Sequence, residues 1–249
     1  MTLMQILQAE DLFDRLEPET PQRKDNHIEV YVNPRVAWLL KAHKETVRVL
    51  GLPSQSSIVE SSHYVLNTAP FPLTAQDIEY FSLSLDHSTS DDFMSSIYTG
   101  IFLTECVQRC VEDRITIHTH HIGDLRCLGY GNQNKHIVIE GNAGDEVAKE
   151  MLSGIVEVKG NVNGQSGALM RGGELIVRGD ALGSDLCNNM FGGIVRIYGN
   201  VKDFGVNWNM RGGEIYIEGE CLDLSKKIDP LCKGRIYHKG KLIAGRTLL

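Results

Sequence analysis

The sequence predicts an α+β fold, with a mixed, helix-rich domain over residues 1–112 and a β-solenoid of about six to seven rungs over residues 113–249. Three observations carry that reading. Between residues 136 and 240 a strand-like segment closing on glycine returns at Gly141, Gly160, Gly179, Gly199, Gly219 and Gly240, a spacing of 19 to 21 residues. In these segments the residues two and four before the glycine are apolar, as in Ile137 and Ile139, Val156 and Val158, Leu175 and Val177, Val195 and Ile197, and Ile215 and Ile217. The first 112 residues lack this period and carry helix-capping signals instead.

Residues 2–16 place Leu3, Ile6, Leu7, Phe13 and Leu16 near one side, as an amphipathic helix does. A polar stretch with Pro18 and Pro21 interrupts it as a loop. Alternation through Ile28, Val30 and Val32 predicts a strand over 27–32. Asn33 followed by Pro34 reads as an N-cap and first helical residue, opening a helix over 34–50 that stops at Gly51. Residues 58–66 read as a second strand. Thr74 and Asp77 form a capping box with Asp in place of Glu, introducing a helix to Leu85, and residues 91–112 predict a longer one.

From Arg114 the pattern changes. Ile115 and Ile117 stand 22 residues before Ile137 and Ile139, so this segment reads as a degenerate first rung, with Thr119 where the closing glycine belongs. A methionine precedes four of the strands as Met151-x-x-Gly154, Met170-x-x-Gly173, Met190-x-x-Gly193 and Met210-x-x-Gly213, with Leu231-x-x-Gly234 as a degenerate copy. Stacked rungs turn these into one internal column, which an unbranched, polarizable side chain fills well. His238, standing where an apolar residue is expected, marks the last rung.

Composition narrows the function. The 249 residues are 42% hydrophobic and 23% charged, with a net charge of −7 and no basic stripe, which argues against a broad nucleic-acid or anionic-membrane footprint. No run approaches the roughly 18 apolar residues of a membrane span, and the amino-terminal residues do not read as a secretory leader, so a cytoplasmic location is expected. The six cysteines, Cys106, Cys110, Cys127, Cys187, Cys221 and Cys232, show no C-x-x-C spacing and read as reduced, mostly buried thiols.

Few residues suggest chemistry. His118, His120 and His121, followed by Asp124, form a histidine patch in which His118 and His120 would share one strand face and could supply two zinc ligands; solvated outward histidines are the competing reading. Arg171 and Arg211 follow column methionines and could clamp an anion, or simply stand at exposed corners. The outward column Glu140, Lys159, Arg178, Tyr198, Glu218 and Lys239 mixes charges and suits a solvated or partner-contacting face. Phosphate-loop and nucleophile-elbow motifs are missing, and the recurring glycines are corners.

The copies Met170-Arg-Gly-Gly173, Met190-Phe-Gly-Gly193 and Met210-Arg-Gly-Gly213, with the strands that follow them, resemble the GXGXG repeat domain. That domain forms the C-terminal part of the glutamate synthase large subunit, and it is similar to the GXGXG-bearing subunit of formylmethanofuran dehydrogenase and of formyltransferase/hydrolase complexes. The resemblance covers about residues 136–240; residues 1–112 match neither family. It implies a right-handed β-helix with no catalytic, cofactor or metal-binding residue, serving as a platform for other subunits of an oxidoreductase or amidotransferase complex. Two alternatives stand beside that expectation. One is an enzyme using the cleft between the domains or a His118/His120 metal site. The other is self-association through an uncapped solenoid end into a dimer or filament.

Overall fold

The computed structural model describes residues 33–49, 54–86, 92–202, 210–221 and 232–245. The helix expected over 2–16, the strand over 27–32, the stop at Gly51 and the Leu231 copy lie outside them. Four helices, α1 (Pro34–Val49), α2 (Gln55–Leu66), α3 (Ala75–Leu83) and α4 (Phe93–Arg109), precede eight strands, β1 (Arg114–His118), β2 (His136–Glu140), β3 (Ile155–Val158), β4 (Glu174–Val177), β5 (Ile194–Ile197), β6 (Glu214–Ile217), β7 (Arg235–His238) and β8 (Lys241–Ala244).

Local chemistry starts each helix. Asn33 Oδ1 accepts the Arg35 amide at 2.9 Å, opening α1. Thr74 and Asp77 exchange the two bonds of the predicted capping box before α3. Asp92 accepts the amides of Met94 and Ser95 before α4. The stretch 58–66, expected to be a strand, is instead most of α2. Its β-branched residues suggested a strand, but the buried ones, Ile58, Ser62, Val65 and Leu66, recur at helical spacing behind the Ser54 N-cap. α4 is the hub of the helical part, buried continuously from Ser96 to Val107.

Strands β1 to β7 are parallel and in register. The inward columns Ile115–Ile137–Val156–Leu175–Val195–Ile215–Ile236 and Ile117–Ile139–Val158–Val177–Ile197–Ile217 are fully buried, so the degenerate first rung is real. A second parallel ladder climbs through Val162, Ala181, Val201 and Cys221. The stack amounts to about 5 turns, somewhat fewer than the six to seven rungs expected. The difference lies at its ends. Gly240 closes no turn: Lys239 and Gly240 both have positive φ, 47° and 74°, and form the two-residue loop of a hairpin that folds β8 back antiparallel on β7.

Met151, Met170, Met190 and Met210 are at most 1% exposed, and their neighbours explain the M-x-G-G spacing. A Cβ on Gly173, Gly213 or Gly234 would lie 2.5, 2.6 or 2.3 Å from the methyl carbon of Met151, Met190 or Met210, the methionine one turn earlier. The glycine vacates the space that the preceding methionine fills. A polar counterpart runs along the closing glycines. The side-chain oxygen of Asn142 accepts the Asn161 amide, Asn161 that of Asp180, Asp180 that of Asn200 and Asn200 that of Glu220, at 2.6–2.9 Å.

On the remaining side of the first four turns the backbone alternates into the left-handed region at 54–74°, as in Glu146, Ala148 and Glu150, or Gln165, Gly167 and Leu169. Such residues cost roughly 1 kcal/mol or more apiece, offset here because their amides bond adjacent turns. Ala148, Gly167 and Cys187 each donate to the turn before, at 2.8–2.9 Å. Gly129, their counterpart in the first turn, has no earlier turn to donate to. Thr104 Oγ1 on α4 accepts its amide at 2.9 Å.

Helix hydroxyls take two further amides of the first turn. Ser96 Oγ on α4 accepts the Arg126 amide and Ser82 Oγ on α3 accepts the His118 amide, each at 3.0 Å. Ser96, Gly100, Thr104 and Gln108 recur every four residues, so one face of α4 lies along Asp124–Gln133, while α3 lies along β1. Edge amides that would otherwise recruit another strand are thereby satisfied. One apolar core accordingly runs from Trp38 and Phe102 through Ile115 to Ile236, across the boundary that sequence places at 112–113.

Candidate functional site

The histidine patch lies where α3 meets the end of β1. His118 Nε2 is 3.0 Å from Glu79 Oε1, the His118 and His120 rings are 5.8 Å apart, and those of His120 and His121 5.3 Å apart. Sequence brings the three histidines together correctly, but His118 is engaged by a helix carboxylate instead of standing free on the outer face. Asp124 is elsewhere: its carboxylate accepts from Asn163 Nδ2 at 3.2 Å and its carbonyl from Ser96. Among the described residues no group of three or more His, Cys, Asp or Glu side chains is arranged to hold a metal ion.

Of the two readings of Arg171 and Arg211, the exposed corner holds and the anion clamp does not form. Arg171 and Arg211 are two turns apart, and Phe191 of the intervening turn sits between them, with guanidinium carbons 5.3 and 5.0 Å from its ring centroid. Both cations stack on the ring. They do not converge on a shared anion.

The outer face of β3 to β7 is the most organised surface. Arg178 Nε donates to Glu157 at 2.9 Å and lies 4.6 Å over Tyr198; Arg196 Nε donates to Glu174 at 2.6 Å and lies 4.6 Å over Tyr216. Arg235 pairs with Glu214, and Tyr216 stacks on Tyr237 at 4.7 Å with the rings 5° from parallel. Each arginine thus bridges the glutamate one turn earlier, and Arg178 and Arg196 also reach the tyrosine one turn later. Lys159 and Arg178 hold the Glu157 carboxyl below the usual carboxylate range. A carboxylate so occupied is a poor general base. The sequence signal for this lattice was present in the alternating outward residues, but the diagonal pairing depends on register.

A corner cavity of about 300 Å³ is lined by Asp180, Leu182, Asn200, Val201, Lys202 and Glu220. Asp180 and Asn200 already accept ladder amides there. At the seam between α2 and the solenoid, Glu146 accepts from Cys127 Sγ and Gln55 and pairs with Lys149. Burial pushes the Cys127 thiol up, the Glu146 charge beside it pushes further, and a protonated thiol is a weak nucleophile. Of the six cysteines, Cys106, Cys110, Cys127 and Cys187 are buried.

Among the described carboxylates one is strongly perturbed. Glu105 on α4 is pushed up to about 7 because burial strips it of water, with Arg109 opposing; His63 Nε2 lies 2.7 Å away. A folded-state value above the ordinary 4.5 means that stability present below pH 4.5 is lost as pH rises to about 7. Glu105→Gln should therefore raise the melting temperature at pH 8, by up to about 3 kcal/mol of stability, and change little at pH 4. Equal effects at both pH values in a calorimetric comparison would refute this.

No family model, no curated protein and no solved structure matches the chain.

Proposed function

We propose that this protein is a non-catalytic scaffold or assembly subunit of a multicomponent oxidoreductase or amidotransferase complex, with its right-handed solenoid as the docking platform. Right-handedness is what the resemblance to the GXGXG repeat domain implies. The M-x-G-G copies support a relationship to the GXGXG repeat domains, in which the platform is partner-facing. The carrying observation is the outer sheet face, where arginines and tyrosines are locked between turns before any partner arrives.

Arginine and tyrosine are the residues on which interfaces concentrate binding energy, and pre-ordering them lowers the entropy lost on docking. Tyr198, 45% exposed, is the natural anchor. A cytoplasmic setting fits this reading, and among the described residues no helix is long and apolar enough to cross a membrane.

Affinity capture from the native host followed by mass spectrometry tests it. The wild-type chain should retain an amidotransferase-like, flavin or molybdenum/tungsten enzyme, and the combined Arg178→Ala, Tyr198→Ala and Tyr216→Ala variant should lose it while melting as a folded protein. Retention of the same partner by that variant overturns the docking face. Stoichiometric zinc in the purified chain, lost on substituting His118 and His120, would favour an enzyme instead.

A further inference from the structure

The two ends of the stack differ, and the difference dictates how it can associate. The first turn is closed by Ser82, Ser96 and Thr104, whose hydroxyls take its edge amides. The last parallel strand is covered by β8, but among the described residues no further strand pairs with β8, which ends the sheet. In any strand, about half of the backbone donors and acceptors face away from its neighbour. Those of β8 face outward from the end of the stack, and Ile243 on it is 38% exposed.

We infer that β8 is a self-pairing edge: two copies of this chain join tail to tail through antiparallel β8 strands about a two-fold axis. One open end among the described residues permits this closed arrangement, whereas a filament needs a second, complementary open end. The reversal of β8 matters. A strand paired with its own two-fold copy is necessarily antiparallel, and centring the pair on Leu242 sets Lys241 against Ile243 of the copy, so no lysine faces a lysine. Outward residues Lys241 and Ile243 and the less exposed Leu242 and Ala244 keep their faces across the junction. The sheet would then run unbroken through both molecules. A four-residue strand buries little area, so the association is weak and concentration-dependent.

Sedimentation-equilibrium mass of the full chain, over roughly 1 to 200 µM, reads this directly. A rise from one chain mass towards two, without larger species, is expected. Leu242→Pro, which removes an amide that the hairpin register turns away from β7, should hold the mass at one chain across that range with an unchanged thermal transition of the stack. Hydrogen exchange of the wild type guards against misfolding of that variant: the amides of Lys241–Ala244 should gain protection as concentration rises. Three results would overturn the inference. They are one chain mass at every concentration, open-ended growth, or a dimer that persists in the proline variant or forms without protecting β8.

Discussion

Replacing Met190 by aspartate is expected to abolish the cooperative unfolding of the stack below ordinary assay temperatures. Met190 is fully buried, its methyl group fills the space left by Gly213 one turn later, and its backbone bonds Arg211. Truncating a buried methionine costs about 2–5 kcal/mol, and an unpaired carboxylate adds several more, against a total stability of about 5–15 kcal/mol. Met190→Leu, similar in volume, should cost below about 1.5 kcal/mol. Thermal melting followed by circular dichroism checks both, and a wild-type melting temperature for the aspartate variant would show that the column does not hold the turns together.

The second large effect concerns the seal. A Cβ on Gly100 would lie 1.8 Å from the Arg126 carbonyl oxygen, which belongs to backbone fixed by the Ser96 hydroxyl. No rotamer relieves such a contact, so Gly100→Ala must lift α4 from the first turn and loosen the Ser96 and Thr104 bonds beside it. Although alanine favours helices, the net loss should reach about 3 kcal/mol, or roughly 10 °C in melting temperature. Faster hydrogen exchange at Arg126 and Gly129 would place the damage at the seam. An unchanged melting temperature would mean that helix and solenoid are not so closely seated.

Much of the solenoid is legible because its instructions are local and repeated. The inward pairs, the methionine column and even the degenerate turn at Ile115 and Ile117 follow from spacing alone. What spacing does not supply is partnership across distance. Glu79 reaches His118 from 39 residues away, and Phe191 separates two arginines that look convergent when read in line. The asparagine following the closing glycine is visible as part of a corner, but its bond to the next turn is a property of stacking. Helix α2 reads as a strand because its β-branched residues outweigh its period, and Gly240 reads as a corner because a hairpin glycine and a corner glycine look alike in sequence.

The one-sided seal gives the molecule a direction. Helices that close the first turn precede it in the chain, and every later turn lands about 20 residues on against a finished neighbour, so a nascent chain leaving the ribosome meets its template before each copy of the repeat. Contacts formed in that order are short in sequence and favour rapid assembly. Growth from the opposite end would have to begin on a surface with nothing beneath it.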